Sequence, residues 1–166
     1  MLLSAACSSS TSGPPCDPDK YEGNDTPATA KDLGEFTDDP DSKTNLVLSI
    51  TTGSDVDFFR LRAKDRGLGG DPIVTVSAPE GYEVTTWFTC TTGTPQPNFE
   101  CGRGTVVTEK DVAPGPGCMS EAPSASVTSV TDCDGTSDDD GTVLVRIRRL
   151  DKAQSCSNYD ITIEVE

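Results

Sequence analysis

From residue 44 onward, apolar and polar positions alternate with a period of two, the repeat of a strand with one buried face. Leu46, Leu48 and Ile50 fall on one side, Val47 and Ser49 on the other. Over 55–63, Phe59, Leu61 and Ala63 share a face opposite Arg60 and Arg62. Residues 73–78 are rich in β-branched side chains, and 83–90 set Val84, Thr86 and Phe88 against Thr85, Trp87 and Thr89. A further short strand is expected at 127–130. Near the end, Val143, Val145 and Ile147 oppose Leu144, Arg146 and Arg148, and Tyr159, Ile161, Ile163 and Val165 alternate with Asp160, Thr162 and Glu164. The last two strands are expected to pair as a hairpin closed by residues 151–157. A helix is expected only within 25–33, where Asp25 or Thr26 can cap it and Pro27 suits its first turn. About seven short strands separated by turn residues predict an all-β fold, an antiparallel β-sandwich.

Two segments break the rhythm. Residues 8–18 are rich in Ser, Gly and Pro, the composition of a linker. Residues 91–126 carry Pro95, Pro97, Pro114, Pro116 and Pro123, and are expected to form a loop-rich insertion held by disulfides. At 166 residues the chain suits one domain, placed at 19–166. No run reaches the length a membrane-spanning helix needs.

Charge and composition narrow the chemistry. The chain carries 13 Lys and Arg against 28 Asp and Glu, a net charge of −15, which argues against nucleic acid as a partner. It contains no His, which removes Ser-His-Asp and Cys-His catalysis and His metal ligands together. There are seven Cys and no C-x-x-C pair, so zinc is disfavoured. With Cys7 set aside, six remain: Cys16, Cys90, Cys101, Cys118, Cys133 and Cys156. Three disulfides in an oxidising compartment follow, with Cys90–Cys101, Cys118–Cys133 and Cys16–Cys156 the expected pairing among 15 arrangements.

The first seven residues, Met-Leu-Leu-Ser-Ala-Ala-Cys, resemble the tail of a bacterial lipoprotein signal peptide, in which small residues precede the Cys that is lipidated. That resemblance implies a signal remnant over 1–7, a start codon further upstream, a lipid on Cys7 and attachment to a membrane. The segment Tyr21-Glu-Gly-Asn-Asp-Thr-Pro-Ala-Thr-Ala30, the strand start Asp55-Val-Asp-Phe-Phe59 and the closing Asn158-Tyr-Asp-Ile-Thr-Ile-Glu-Val165 resemble the bacterial pre-peptidase C-terminal domain. The resemblance implies a jelly-roll-like, non-catalytic sandwich attached to exported proteins, binding substrate polymers or aiding secretion. In the related collagen-binding domains of bacterial collagenases these motifs supply calcium ligands. By position the resemblance carries Ca2+ to Glu22, Asn24, Asp25 and Asp57, with Asp55 or Asp19 standing in for a missing acid. Lys20, Ser54 and Gly23 depart from the pattern.

The residues give this ion site separate support. Asp57 shares a strand face with Phe59 and Leu61, and a carboxylate aimed at a core edge needs a cation or several N–H donors. Glu22, Asn24, Asp25, Asp55 and Asp57 offer oxygens of the kind calcium takes; the alternative is that Asp57 accepts backbone N–H groups from the 24–26 turn. The acidic run 132–141 resembles a calcium loop of the Asp-x-Asp-x-Asp-Gly kind but lacks its spacing and terminal Glu, and the simpler reading is a solvated turn. Arg60, Arg62, Arg146 and Arg148 form a stripe suited to an anionic glycan or partner carboxylates, or paired across the hairpin with Asp160 and Glu164. Trp87 is a candidate sugar platform or a core residue. The chain is therefore expected to be a lipid-anchored or secreted envelope module, non-catalytic, binding an extracellular polysaccharide or protein. The alternatives are a structural spacer stabilised by calcium and disulfides, or a secretion-assisting domain, and last a glycan-active enzyme using paired carboxylates.

Overall fold

The computed structural model describes residues 18–38, 40–66, 71–92, 94–134, 139–151 and 156–166, with the backbone alone at 94–98, 131 and 134. Two β-sheets pack face to face. The strands are β1 (Lys31–Thr37), β2 (Ser42–Ile50), β3 (Val56–Lys64), β4 (Ile73–Ser77), β5 (Tyr82–Cys90), β6 (Thr94–Arg103), β7 (Thr105–Thr108), β8 (Pro116–Met119), β9 (Ser126–Asp134), β10 (Gly141–Arg149) and β11 (Ser157–Val165). One sheet runs β1-β3-β10-β5-β8-β7 and the other β2-β11-β4-β9-β6. All pairings are antiparallel except β1 with β3, which are parallel because β2, lying in the opposite sheet, forms the crossover between them. The all-β sandwich is thus as the alternation predicts.

The period-two faces meet in one core. Leu48, Ile50, Phe59, Leu61, Val74, Val76, Val84, Phe88, Val127, Val143, Val145, Ile147, Tyr159, Ile161, Ile163 and Val165 are buried together between the sheets. Among the described residues the expected helix reduces to a 3-10 turn, Pro27–Thr29, capped by Thr26; Lys31 onward is drawn out into β1 by pairing with β3.

Three sequence expectations are corrected. The proposed final hairpin does not form: β10 sits between β3 and β5, and β11 sits in the other sheet between β2 and β4. Two strands that each bury one apolar face fill a sandwich from opposite sides as well as they fill one sheet from the same side. The 91–126 insertion is not mainly loop. It holds β6, β7 and β8, which widen both sheets.

The disulfide pairing also differs. The bridges are Cys90–Cys133 and Cys101–Cys118, each tying one sheet to the other. Register explains the choice. Cys118 lies beside Thr86, four residues along β5 from Cys90, and Cys101 lies beside Ser129, four residues along β9 from Cys133. Four strand residues are about 13 Å, so the two bridges are separate rungs, and the expected cross-pairings would have to span that distance. Cys156 is also disulfide-bonded; its expected pairing with Cys16 lies outside the described residues, as does the Cys7 lipidation site.

Candidate functional site

Asp57 is 1% exposed. Its place on β3, in phase with Phe59 and Leu61, turns it inward, as the alternation predicts. The Tyr159 hydroxyl donates to Asp57 Oδ2 at 2.5 Å, from the facing sheet. Burial pushes the Asp57 carboxyl up to about 7, with Asp55 and Asp19 adding repulsion against the pull of the Tyr159 and Asn24 hydrogen bonds. Burial and the neighbouring Asp57 hold the Tyr159 phenol far above its usual range, so it remains a donor.

Asn24 is fully buried and clamps the start of β3. Its Nδ2 donates to the Phe58 carbonyl at 3.1 Å, and its own carbonyl accepts the Phe58 N–H at 2.9 Å. Gly23 before it has φ +83°, a conformation closed to the proline that the resembled motif carries. Asp19 accepts the N–H groups of Tyr21 and Ser49, both at 2.6 Å, and so pins the arm that leads into the turn to β2. Lys20 extends over the Tyr21 ring at 4.7 Å.

The remaining expected cation ligands line an open cleft of about 380 Å3 walled by Glu22, Asp25, Thr51, Thr52, Ser54 and Asp55. The 51–55 turn that forms one wall is closed by Asp55, whose Oδ2 accepts the Thr51 N–H at 2.6 Å and the Thr51 hydroxyl at 2.9 Å. Desolvation and the neighbouring acids raise the Glu22 carboxyl, which accepts from the Ser49 hydroxyl. The Asp25 carboxyl is raised by desolvation, by a hydrogen bond shared with Asp55 and by the Asp55 charge. Three acids and three hydroxyls are the oxygen donors a hard cation takes. Of the five expected ligands, Glu22, Asp25 and Asp55 line the cleft, while Asn24 Nδ2 is bonded to Phe58 and Asp57 Oδ2 to Tyr159; Asn24 Oδ1 is buried with no hydrogen-bond partner among the described residues.

A second acidic group joins two residues of the acidic run 132–141 to Asp71, which the sequence reading did not single out. Oxygens of Asp71, Asp132 and Asp139 lie within 4.8 Å of one another, a triad with Asp139 buried that could hold a metal ion. Asp139 Oδ1 accepts the Cys133 N–H at 2.6 Å, and desolvation together with the other acids raises the Asp71 carboxyl. At the end of the expected solvated turn Asp139 and Asp140 are buried, the latter paired with Lys64, while 135–138 lie outside the described residues. The run of aspartates around 132–140 was the visible signal; Asp71 comes from a distant segment.

The arginine stripe divides. β3 and β10 are neighbours, with Arg60 opposite Leu144 and Arg146 opposite Phe58. Arg60 donates to the Pro27 carbonyl at 3.0 Å and Arg62 pairs with Asp32 at 3.2 Å, both exposed. Arg146 is buried at 7% exposure, paired with Glu109 at 2.6 Å and Glu83 at 3.3 Å, its guanidinium 5.1 Å from the Trp87 ring centre. The pairing with Asp160 and Glu164 is therefore replaced, because those acids lie on the other sheet, where Glu164 takes Lys43. Trp87 is 1% exposed and packs with Phe58, Ala113 and Leu144 in a small outer core covered by the segment between β7 and β8. That cover takes Trp87 and Arg146 out of reach of a sugar ring. Arg148 stays 45% exposed on its side chain and pairs with Glu83 at 2.7 Å.

Comparison with known proteins finds no family model, no curated protein and no solved structure that matches this chain. The two inter-sheet disulfides fit an oxidising, extracellular compartment, and among the described residues no helix is long and apolar enough to cross a membrane.

Proposed function

We propose that this chain is a non-catalytic, extracellular binding or accessory module of the bacterial envelope, carried by a lipid on Cys7, with calcium in the cleft of Glu22, Asp25 and Asp55. The observation that carries it is that cleft: three acids and three hydroxyls lining one open volume, with Glu22 and Asp25 each raised by desolvation and then by the Asp55 charge they share. A divalent cation relieves that repulsion. The resemblance of residues 21–30 and 158–165 to the pre-peptidase C-terminal domain points the same way. Catalysis by paired carboxylates is disfavoured, since Asp57, the partner Asp55 would need, is buried beneath the sheet and bonded to Tyr159. A structural spacer is the second reading, favoured by the two bridges that lock the sheets together.

The test is a thermal melt of the full chain in calcium and in chelator. At a hundredfold excess over Kd, binding to the folded state adds about 2.7 kcal/mol, a rise of several degrees in Tm. Glu22→Gln with Asp25→Asn is expected to abolish the rise. A rise that survives this pair and disappears with Asp139→Asn moves the cation to the Asp71 triad. No rise in any form refutes the cation.

A further inference from the structure

The acidic cleft does not end at Asp55. Ser54 and Asp55 also wall a second cavity of about 270 Å3, completed by Gly53, Val56, Arg148, Arg149 and Leu150. Strand register brings these residues together: Val56 at the start of β3 lies opposite Arg148 near the end of β10, so the 51–55 turn meets the 149–151 turn at one end of the sheet. The two cavities share a wall, and their charges are segregated. Glu22 and Asp25 lie on one side, Arg148 and Arg149 on the other, and Asp55 lines both. Leu150, which lines the same cavity, is 46% exposed, one of three large exposed apolar side chains among the described residues.

Each part selects a different feature of a ligand. In a chain of net charge −15, an anion is repelled almost everywhere except beside a guanidinium. Arg148 binds Glu83 through Nη2 and keeps 45% of its side chain exposed, leaving an accessible fork of the kind that matches a carboxylate. Leu150 and Val56 offer apolar surface to the C–H face of a ring. Asp55, Ser54 and Thr52 present oxygens that accept from hydroxyl donors. A carboxylate, an apolar ring face and several hydroxyls on one small unit describe a uronic acid. An acidic peptide has the carboxylates but brings few hydroxyl donors, and it adds charge against Glu22 and Asp25.

We propose that the joined cavities form one groove that binds a uronic-acid unit of an acidic polysaccharide, with the carboxylate on Arg148, the ring against Leu150 and hydroxyls toward Ser54 and Asp55. The proposal rests on the reading of the chain as a binding module; it shares Asp55 with the cation reading, and the test in chelator separates the two.

The test is calorimetric titration of the full chain with trigalacturonate, in chelator so that calcium does not bridge the sugar. Binding is expected, with loss of about tenfold or more in affinity in Arg148→Gln, the worth of a charge-assisted contact. The same loss is expected when the sugar's carboxyls are reduced to alcohols. Leu150→Ser is expected to weaken binding without touching any ion pair, which keeps the test decisive if Arg148→Gln melts early. No binding by the wild-type chain, equal binding of the reduced sugar, or full binding in both variants overturns the proposal. So does displacement of the sugar by poly-glutamate at equal charge, which assigns the groove to acidic peptide. Failure here with retention on another polymer or protein matrix leaves the binding module standing; failure with no retention on any matrix removes both. A calcium-dependent rise in Tm without sugar binding removes the groove alone.

Discussion

Substituting Asp57 by Asn isolates one proton. In the fold, burial holds this carboxyl at about 7, against 3.8 for the free side chain. Between those values the folded protein keeps a proton that the unfolded chain releases. Stability from this group is complete below about pH 4, declines by about 1.4 kcal/mol per pH unit as pH rises, and is exhausted above about pH 7. The whole change is about 4 kcal/mol at 1.36 kcal/mol per unit, and with Asp57 1% exposed it needs no discount for solvent screening. Asn has the same shape, cannot ionise, and can still accept the Tyr159 hydroxyl through its amide oxygen. Urea unfolding from about pH 4 to pH 8 in chelator, followed by the fluorescence of the single Trp, gives the stability difference between variant and wild type at each pH. Glu22, Asp25 and Asp71 are also raised, but they titrate in both proteins and cancel in the difference. The variant is expected to gain about 4 kcal/mol relative to wild type across that range and to be the more stable protein at its upper end. Parallel curves would falsify the reasoning, because Asp57 would then be ionised throughout and held by donors other than Tyr159.

Arg146→Met removes the cation that Glu83 and Glu109 share, leaving Glu83 its Arg148 pair and Glu109 partly exposed, and is expected to cost about 1–3 kcal/mol, with Trp87 emission shifting red in denaturant-free buffer as its cover loosens. Replacing Cys101 and Cys118 by Ser opens a bridge between residues 17 apart and is expected to cost about 2–4 kcal/mol; peptide mapping of the oxidised protein checks the pairing, and recovery of a Cys90–Cys101 peptide would contradict the register described above. Gly117→Ala puts a methyl 2.5 Å from the Thr86 carbonyl and 2.6 Å from the Trp87 ring. Backbone must move to admit it, so a loss of about 1–3 kcal/mol is expected in chemical unfolding, and an unchanged midpoint would mean that β8 does not press on Trp87.

What the alternation made legible was which residues face inward, and what it left open was which sheet each strand joins. Val143 and Ile147 on β10 and Ile161 and Ile163 on β11 were all placed on buried faces, and all four meet in the same core. A period of two marks a buried face without saying whether it looks up or down, and that one ambiguity produced both the false hairpin and the misassigned arginine partners. The same ambiguity hid the outer core. Trp87 and Phe58 point away from the sandwich interior, yet Val112 and Ala113 cover them, because a segment read as loop folds back over the sheet. The disulfides failed for a related reason: loop length favours near neighbours in sequence, whereas a sandwich brings rungs from different hairpins into line.

The candidate site was legible to the extent that it is local. Glu22, Asp25 and Asp55 were found because an acidic turn and a strand start are short motifs, and they do line one cleft. Asp57 was placed on the correct face, but its partner Tyr159 is 102 residues away on the other sheet. Asp71 reaches Asp132 and Asp139 only through the fold. The groove of Arg148 and Leu150 needs the β3–β10 register to bring the 51–55 turn to its edge. Charge acts at the same range. In a chain this acidic the proposed carboxylate contact depends on an exposed guanidinium, that of Arg148, beside Leu150 and Ser54. The position of that guanidinium is set by strand pairing, and no short motif in the sequence records it.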